Sequence, residues 1–169
     1  MNYEIKIVRT DELSVKQRDQ IIALKQQRWN YPYKSQLDWL EKNHLNDDEH
    51  LLVLDGDELI AYLYIARVPI SIDGESSTAL GIGNVCTALA YGGKGIGKLC
   101  VCVANKRIVE RGKTGILLCH DNLVGFYEKC GWSVCEYKKA FLLDKEYYHK
   151  IMFLGKQDDC DMLFINRNF

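Results

Sequence analysis

The sequence predicts an α+β fold, on three observations. Strand-like and helix-like segments follow in the order strand, two helices, three strands, helix, strand, helix, two strands. The three consecutive strands are separated by Asp-Gly steps, which favour the positive backbone angles of tight hairpins. No repeat, linker or low-complexity stretch interrupts the 169 residues, and that length suits one domain spanning 1–169.

Tyr3 to Val8 alternates apolar Tyr3, Ile5 and Ile7 with polar Glu4 and Lys6, the pattern of a strand with one buried face. Ser14 with Gln17 matches a capping box, and Val15, Ile22 and Trp29 recur at heptad spacing, so a helix is expected to about Trp29. Beyond Pro32, Ser35 and Asp38 open a shorter helical stretch through Leu37 and Leu40. Leu51 to Leu54 and Leu59 to Val68 flank Asp55-Gly56-Asp57 as antiparallel strands, and Asp73-Gly74 leads to a further strand from Leu80 to Ala90. Gly97 to Arg111 reads as a helix stopped by Gly112, Ile116 to Cys119 as a short buried strand, and Asn122 to Cys130 as a helix ending at Gly131. Trp132 to Tyr137 and Tyr148 to Leu154 complete the strands. The tail from Asp158 to Phe169 carries Met162, Leu163, Phe164 and Ile165 and is expected to dock as an extra strand of unassigned partner.

Apolar residues make up 47% of the chain and charged residues 27%, with only two prolines, which is the composition of a folded globular protein. A net charge of -1 provides no global field for nucleic acid or an anionic membrane, so neither is an expected partner and any phosphate site must be local. No apolar run reaches membrane-spanning length and Met1 to Thr10 lacks an export pattern. Seven cysteines, an odd number, point to a reducing compartment, with the cytoplasm as the expectation. Cys100 and Cys102, two apart on a helix, diverge, and no Cys-x-x-Cys pair occurs, so no metal is expected and the thiols read chiefly as core filler.

Tyr91-Gly92-Gly93-Lys94-Gly95-Ile96-Gly97-Lys98 lies between a strand and a helix, where main-chain N–H groups and the helix dipole favour an anion. Glycine permits the curled backbone and close approach to a ligand, while Lys94 and Lys98 add positive charge. A nucleotide P-loop is nearly spelled by Gly92 to Leu99, but Leu99 stands where a magnesium-binding hydroxyl is needed. The dinucleotide pattern begun at Gly93 demands glycine at Lys98.

What remains resembles the pyrophosphate-binding motif of the GNAT acyltransferase superfamily, Arg/Gln-x-x-Gly-x-Gly/Ala, met by Gly95 and Gly97, with Gly92 in place of the usual Arg or Gln. Asn84-Val85-Cys86-Thr87 is similar to an Asn-Val-x-Thr stretch in one branch of the superfamily, with Leu89 where proline is common. His120-Asp121-Asn122-Leu123-Val124-Gly125-Phe126-Tyr127-Glu128-Lys129-Cys130-Gly131-Trp132 resembles the family's Asn…Phe-Tyr-Glu-Lys-x-Gly-Phe segment, and Trp132 replaces the final aromatic. The resemblance covers residues 50–155 well and the first 50 in outline. It implies the GNAT fold, a mixed central sheet of six to seven strands flanked by about four helices with splayed fourth and fifth strands.

The resemblance further implies acetyl-CoA (coenzyme A) as co-substrate and a small-molecule primary amine as acceptor, with direct attack in a ternary complex. Coenzyme binding then falls to Thr87, Ala88, Leu89, Gly92, Gly93, Lys94, Gly95, Ile96, Gly97, Lys98 and Asn122. Pantetheine amides would pair with the main chain of Thr87 to Leu89, and the N–H of Ala88 or Leu89 would polarise the thioester carbonyl. Tyr127 is the implied catalytic acid for the leaving thiolate; by periodicity alone Leu123, Phe126, Tyr127 and Cys130 form an ordinary core-facing stripe. Asn122 is either a helix N-cap or the amide that binds the pantetheine arm. Glu128 and Lys129 read as a solvated helix face. His120 and Glu128 are candidate general bases, and His120 reads equally as a loop or capping residue. Acceptor recognition is expected from the segment Trp29 to Leu40 and the Tyr137 to Tyr148 connection, with Tyr31, Tyr33, Tyr137, Tyr147 and Tyr148 as pocket candidates. A coenzyme-binding module without catalysis is the alternative reading. Transfer of a longer acyl group or to a protein amine, an acyl-cysteine route and a homodimer all stay open.

Overall fold

The computed structural model describes residues 3–155 and 157–169 and falls into two compact units. One is made of Gly83–Ala104 and the chain up to Ala66, the other of Arg67–Ile82 and Asn105–Phe169. Two long strands, β3 (Glu58–Ile72) and β4 (Glu75–Thr87), and the helix α3 (Ile96–Glu110) each run through both.

In the first unit, β1 (Glu4–Arg9) pairs antiparallel with β2 (Glu49–Asp55), which pairs antiparallel with β3. The β2–β3 turn places Gly56 at φ +60, the left-handed region that glycine enters without strain. As an edge strand β1 is exposed over most of its length, so the expected burial of Ile5 and Ile7 is corrected: both stay exposed. The helix α1 (Val15–Gln26) begins at the expected capping box, with Ser14 Oγ accepting from the Gln17 N–H at 3.2 Å and Gln17 Oε1 accepting from the Ser14 N–H at 2.9 Å. It ends before Trp29, and its buried face is Ile21, Ile22, Leu24 and Lys25, while Val15 is 64% exposed. The heptad reading thus held at Ile22 and its neighbour Ile21 but not at its ends Val15 and Trp29; Leu24 and Lys25, three and four residues beyond Ile21, complete the core face. The helix α2 (Tyr33–Asn43) follows Pro32 and buries Leu40 and Gln36.

In the second unit the strands lie in the order β6–β9–β5–β4–β3–β10–β7–β8, with β5 at Gly115–Cys119, β6 at Trp132–Val134, β7 at Tyr137–Leu142, β8 at Lys145–Glu146, β9 at Lys150–Leu154 and β10 at Cys160–Ile165. The β3–β4 turn has Asp73 and Gly74 at φ +49 and +89, both positive as a two-residue type I′ hairpin requires. The tail docks as β10, antiparallel to β3 and parallel to β7, which assigns the partner that sequence left open. The expected strand Trp132 to Tyr137 is two strands broken at Cys135 and Glu136, where the chain leaves β9 and joins β10. With β7, β8 and β10 added, the described residues form ten strands rather than six or seven, and four α-helices.

The fold is α+β with a mixed sheet. β4 and β5 run parallel and stay in register for two pairs only, Leu80↔Gly115 and Gly81↔Ile116. β4 continues to Thr87, short of the expected Ala90, and within it Asn84 adopts φ +53. A left-handed residue inside a strand interrupts the pleat and redirects it, which is how the fourth strand parts from the fifth. Among the described residues no helix is long and apolar enough to cross a membrane.

Candidate active site

The segments singled out by sequence lie one in each unit. In the first, β4 ends at Thr87, a short 3-10 turn covers Leu89–Tyr91, and Gly92 to Gly95 turn the chain into α3. Gly93 and Gly95 hold φ +73 and +79, so glycine is needed there for its backbone freedom. The carbonyl of Gly95 accepts the first helical bond, from the Leu99 N–H at 2.9 Å. The N–H groups of Ile96, Gly97 and Lys98 are therefore the unpaired donors of the helix start. No acceptor among the described residues takes them, nor the N–H groups of Gly93 and Gly95. Lys94 and Lys98 are exposed beside these donors and form no ion pair with a described residue.

Tyr91 fixes the loop from below. Its hydroxyl donates to Asp55 at 2.9 Å, which pushes the phenol's pKa up to about 12, and its ring lies 4.9 Å from Lys94 Nζ. A curl of unpaired N–H groups with two lysines on a tethered base is equipped to hold a phosphate or diphosphate.

Upstream, the main chain of Thr87 to Leu89 is largely engaged. The Ala88 N–H, one residue past β4, donates to the Ile60 carbonyl of β3 at 2.8 Å, so of the two oxyanion donors expected Ala88 is withdrawn. The Leu89 N–H donates to Gln27 Oε1 at 2.9 Å, and the Thr87 carbonyl accepts from Arg28 Nε at 3.0 Å. Both partners are exposed side chains just beyond α1.

In the second unit the expected helix Asn122 to Cys130 is shorter: a 3-10 turn over Asp121–Leu123 passes into α4 (Val124–Glu128), a single turn. Asn122 is exposed inside the 3-10 turn and caps neither segment, since the flanking residues are His120 and Leu123, so its capping role is corrected. Tyr127 is 7% exposed and its ring meets Phe126 edge-on at 5.0 Å. Cys130 is buried with it, whereas Leu123 is exposed and Phe126 half-buried, so the stripe is only partly a core face. Glu128 and Lys129 are solvated. Trp132 is buried; its Nε1 donates to Asn105 Oδ1 at 2.9 Å and Asn105 Nδ2 donates to the Cys130 carbonyl at 2.7 Å, bracing the end of this segment.

His120 is exposed and stands 4.6 Å, edge to face, from His149, whose other neighbour is Tyr147 at 5.6 Å. Tyr137 donates to the His149 carbonyl at 2.7 Å, and burial pushes the Tyr147 phenol up to about 12. Tyr148 is exposed and bonds Glu146. In the first unit Tyr33 donates to Asp19, while Tyr31 lines a cavity with Lys25, Trp29 and Trp39. Burial raises the Cys86 thiol to about 12 and Cys119 to about 11, which makes either a poor nucleophile. Sequence reasoning missed Lys25, Gln27, Arg28 and His149, while Trp39 falls within the expected acceptor segment Trp29 to Leu40. Lys25 alone had a signal, since it sits one residue past Leu24 on the face that Ile21 and Ile22 begin.

The family model described as an acetyltransferase (GNAT) domain matches residues 9–135. The chain belongs to the GNAT family. Acyl transfer is that family's chemistry. Among solved structures, ElaA of Escherichia coli is 22% identical with a TM-score of 0.67, covering 92% of this chain and 100% of its own. The GNAT family N-acetyltransferase YhbS of Escherichia coli, solved in complex with CoA, is 17% identical with a TM-score of 0.67, covering 96% of this chain and 89% of its own. The PaiA N-acetyltransferase of Thermoplasma acidophilum, in complex with coenzyme A, is 19% identical with a TM-score of 0.61 and covers 92% and 100%. At these identities the likeness is one of fold. Comparison with curated proteins gave no match.

Proposed function

We propose that this GNAT chain, residues 1–169 acting as one domain, is an acetyl-CoA-dependent N-acetyltransferase that acetylates the primary amine of a small molecule. The observation that carries the reading is the set of unpaired N–H groups of Gly93, Gly95, Ile96, Gly97 and Lys98 at the start of α3. These donors, with Lys94 and Lys98, suit the coenzyme's pyrophosphate. YhbS and PaiA were solved with CoA, which supports the same ligand here. Thr87 to Leu89 and Asn122 would hold the pantetheine arm, with Gln27 and Arg28 moving off Leu89 and Thr87 as it enters.

In the reaction the amine lone pair attacks the thioester carbonyl, the C–S bond breaks as the tetrahedral adduct collapses, and the departing thiolate takes the phenol proton of Tyr127. The amine's surplus proton passes to a base, for which His120, paired with His149, and Glu128 are the candidates. The freed Leu89 N–H is the oxyanion donor. A coenzyme-binding module without catalysis is the second reading, favoured by the commitment of the Ala88 N–H to Ile60.

Titration calorimetry with CoA, acetyl-CoA, ATP and NAD, joined to thiol release across an amine panel, tests the proposal. Binding of CoA and acetyl-CoA with release for at least one amine is expected. Tyr127→Phe lowers kcat by about 10²–10⁴-fold with little loss of coenzyme affinity. Binding of ATP or NAD in place of CoA refutes the reading; CoA binding with no release for any amine leaves the module.

A further inference from the structure

Lys25 lies on the buried face of α1 and is 2% exposed, yet no carboxylate among the described residues pairs with it. Its Nζ stands 4.6 Å from the ring centroid of Trp39. The groups that bear on it electrostatically are Cys86 from β4, whose thiol burial keeps neutral, and His50 from β2, which is buried and likewise neutral. Burial, opposed only in part by Cys86, lowers the ammonium to about 8. An ammonium taken from water is costly unless an anion meets it, and a ring face returns only part of that loss.

The place for that anion is present. Lys25 lines a cavity of about 460 Å³ in the first unit, walled by Trp29, Tyr31, Ser35, Gln36, Trp39 and Asn84. Three aromatic rings make its sides apolar, and among the described residues the lysine is its one cationic lining residue. The volume suits a ligand of amino-acid to dipeptide size. The cavity adjoins the proposed acyl-transfer groups along both of its supports: Gln27 and Arg28, which hold Leu89 and Thr87, lie between Lys25 and Trp29, and Asn84 is on the strand that ends at Thr87.

We infer that this cavity takes the acceptor, and that the acceptor is an amine carrying a carboxylate, which pairs with the Lys25 ammonium while its apolar body packs among Trp29, Tyr31 and Trp39. The inference rests on the acyl-transfer reading above and names its substrate class. A carboxylate brought into the cavity exchanges solvation for a charge-assisted contact in a desolvated setting, where such contacts are strongest. An amine without the carboxylate would leave the lysine as it stands now.

The test uses matched pairs that differ only in the carboxylate: phenylalanine with phenethylamine, tyrosine with tyramine, and leucine with isoamylamine, together with ω-amino acids and their parent amines. Thiol release from acetyl-CoA gives kcat/KM for each, and calorimetry in the absence of coenzyme gives binding. The wild-type chain is expected to favour the carboxylate-bearing member, and Lys25→Met to reduce that preference by about 10–100-fold while Lys25→Arg retains most of it. Preference by the wild type for the decarboxylated member overturns the inference whether or not the variants fold. So does an equal loss for both members of every pair in Lys25→Met. If no amine releases thiol but the carboxylate-bearing members still bind better and Lys25→Met abolishes the difference, acetyl transfer falls and the anion cavity stands.

Discussion

Gly115→Ala probes the point where β5 meets β4. A Cβ built at Gly115 comes within 2.8 Å of Leu154 Cβ, 3.0 Å of Trp132 Cη2 and 3.3 Å of Ile108 Cδ1. Carbon atoms in comfortable contact stand about 3.5–4.0 Å apart, so the Leu154 backbone must retreat by roughly 0.7 Å or more. Only Ile108 offers a flexible end. Leu154 Cβ moves only with β9, and Trp132 is fixed by its bond to Asn105. Forced overpacking of this kind costs about 1–3 kcal/mol. The loss of glycine's freedom in the unfolded chain returns about 0.4–1 kcal/mol. The difference spans about 0–2.6 kcal/mol, and its midpoint of about 1.3 kcal/mol corresponds to a fall in Tm of roughly 3–5 °C for a chain of this size. Thermal melts of wild type, Gly115→Ala, Trp132→Phe and the double variant measure it. Trp132→Phe withdraws the atom that the new Cβ meets, so the double variant should be less destabilised than the sum of the singles by about 0.5 kcal/mol or more. A Gly115→Ala chain that melts at or above the wild-type temperature, or two effects that simply add, would show that the close approach does not govern stability.

Two further outcomes follow from buried or borrowed hydrogen bonds. Gln27→Ala releases the Leu89 N–H, so affinity for acetyl-CoA measured by calorimetry should rise by about 2–10-fold, the worth of one exposed hydrogen bond no longer displaced; weaker binding would mean that the glutamine supports the bound state. His50 is fully buried between Tyr62 and Thr10, at 2.9 Å from each hydroxyl, and burial first, then the Lys25 charge, lowers its pKa to about 4. Its folded value lies below the unfolded one, so the unfolded chain takes the proton first. Stability should therefore fall between about pH 6.5 and 4, by a contribution on the order of 3 kcal/mol. Urea unfolding across that range should show a flatter acid limb in His50→Gln, and an unchanged slope would remove His50 as its origin.

Where local chemistry decides structure, the sequence was a good guide. The Asp55-Gly56 and Asp73-Gly74 turns, the Ser14–Gln17 cap and the Gly112 stop all appear where their backbone preferences put them. Features decided by distant partners were not legible. Apolar-polar alternation from Trp132 slips only once, at the adjacent apolar pair Val134 and Cys135, and it is the pairing of β6 with β9 and of β7 with β10 that shows two strands sharing the segment. The 3-10 turn before α4 is equally invisible to periodicity, so Asn122 looked like a cap. The glycine turn was readable because its backbone angles at Gly93 and Gly95 call for glycine. Lys25 was passed over despite its place on the Ile21, Ile22 and Leu24 face, because a lysine in a helix reads as surface by its chemistry. His149 came to His120 only through tertiary packing.

β10 is the last strand in sequence, yet it lies inside the second unit's sheet between β3 and β7. The hairpin of β7 and β8 has no other route to β3, so these elements stay unattached until a segment roughly ninety residues downstream of β3 finds its slot. Completion of this unit's sheet therefore requires β10 to pair with both β3 and β7. Until that moment the flank of β3 that β10 will cover remains an open hydrogen-bonding edge, the state in which such a chain is most exposed to pairing with another copy of itself.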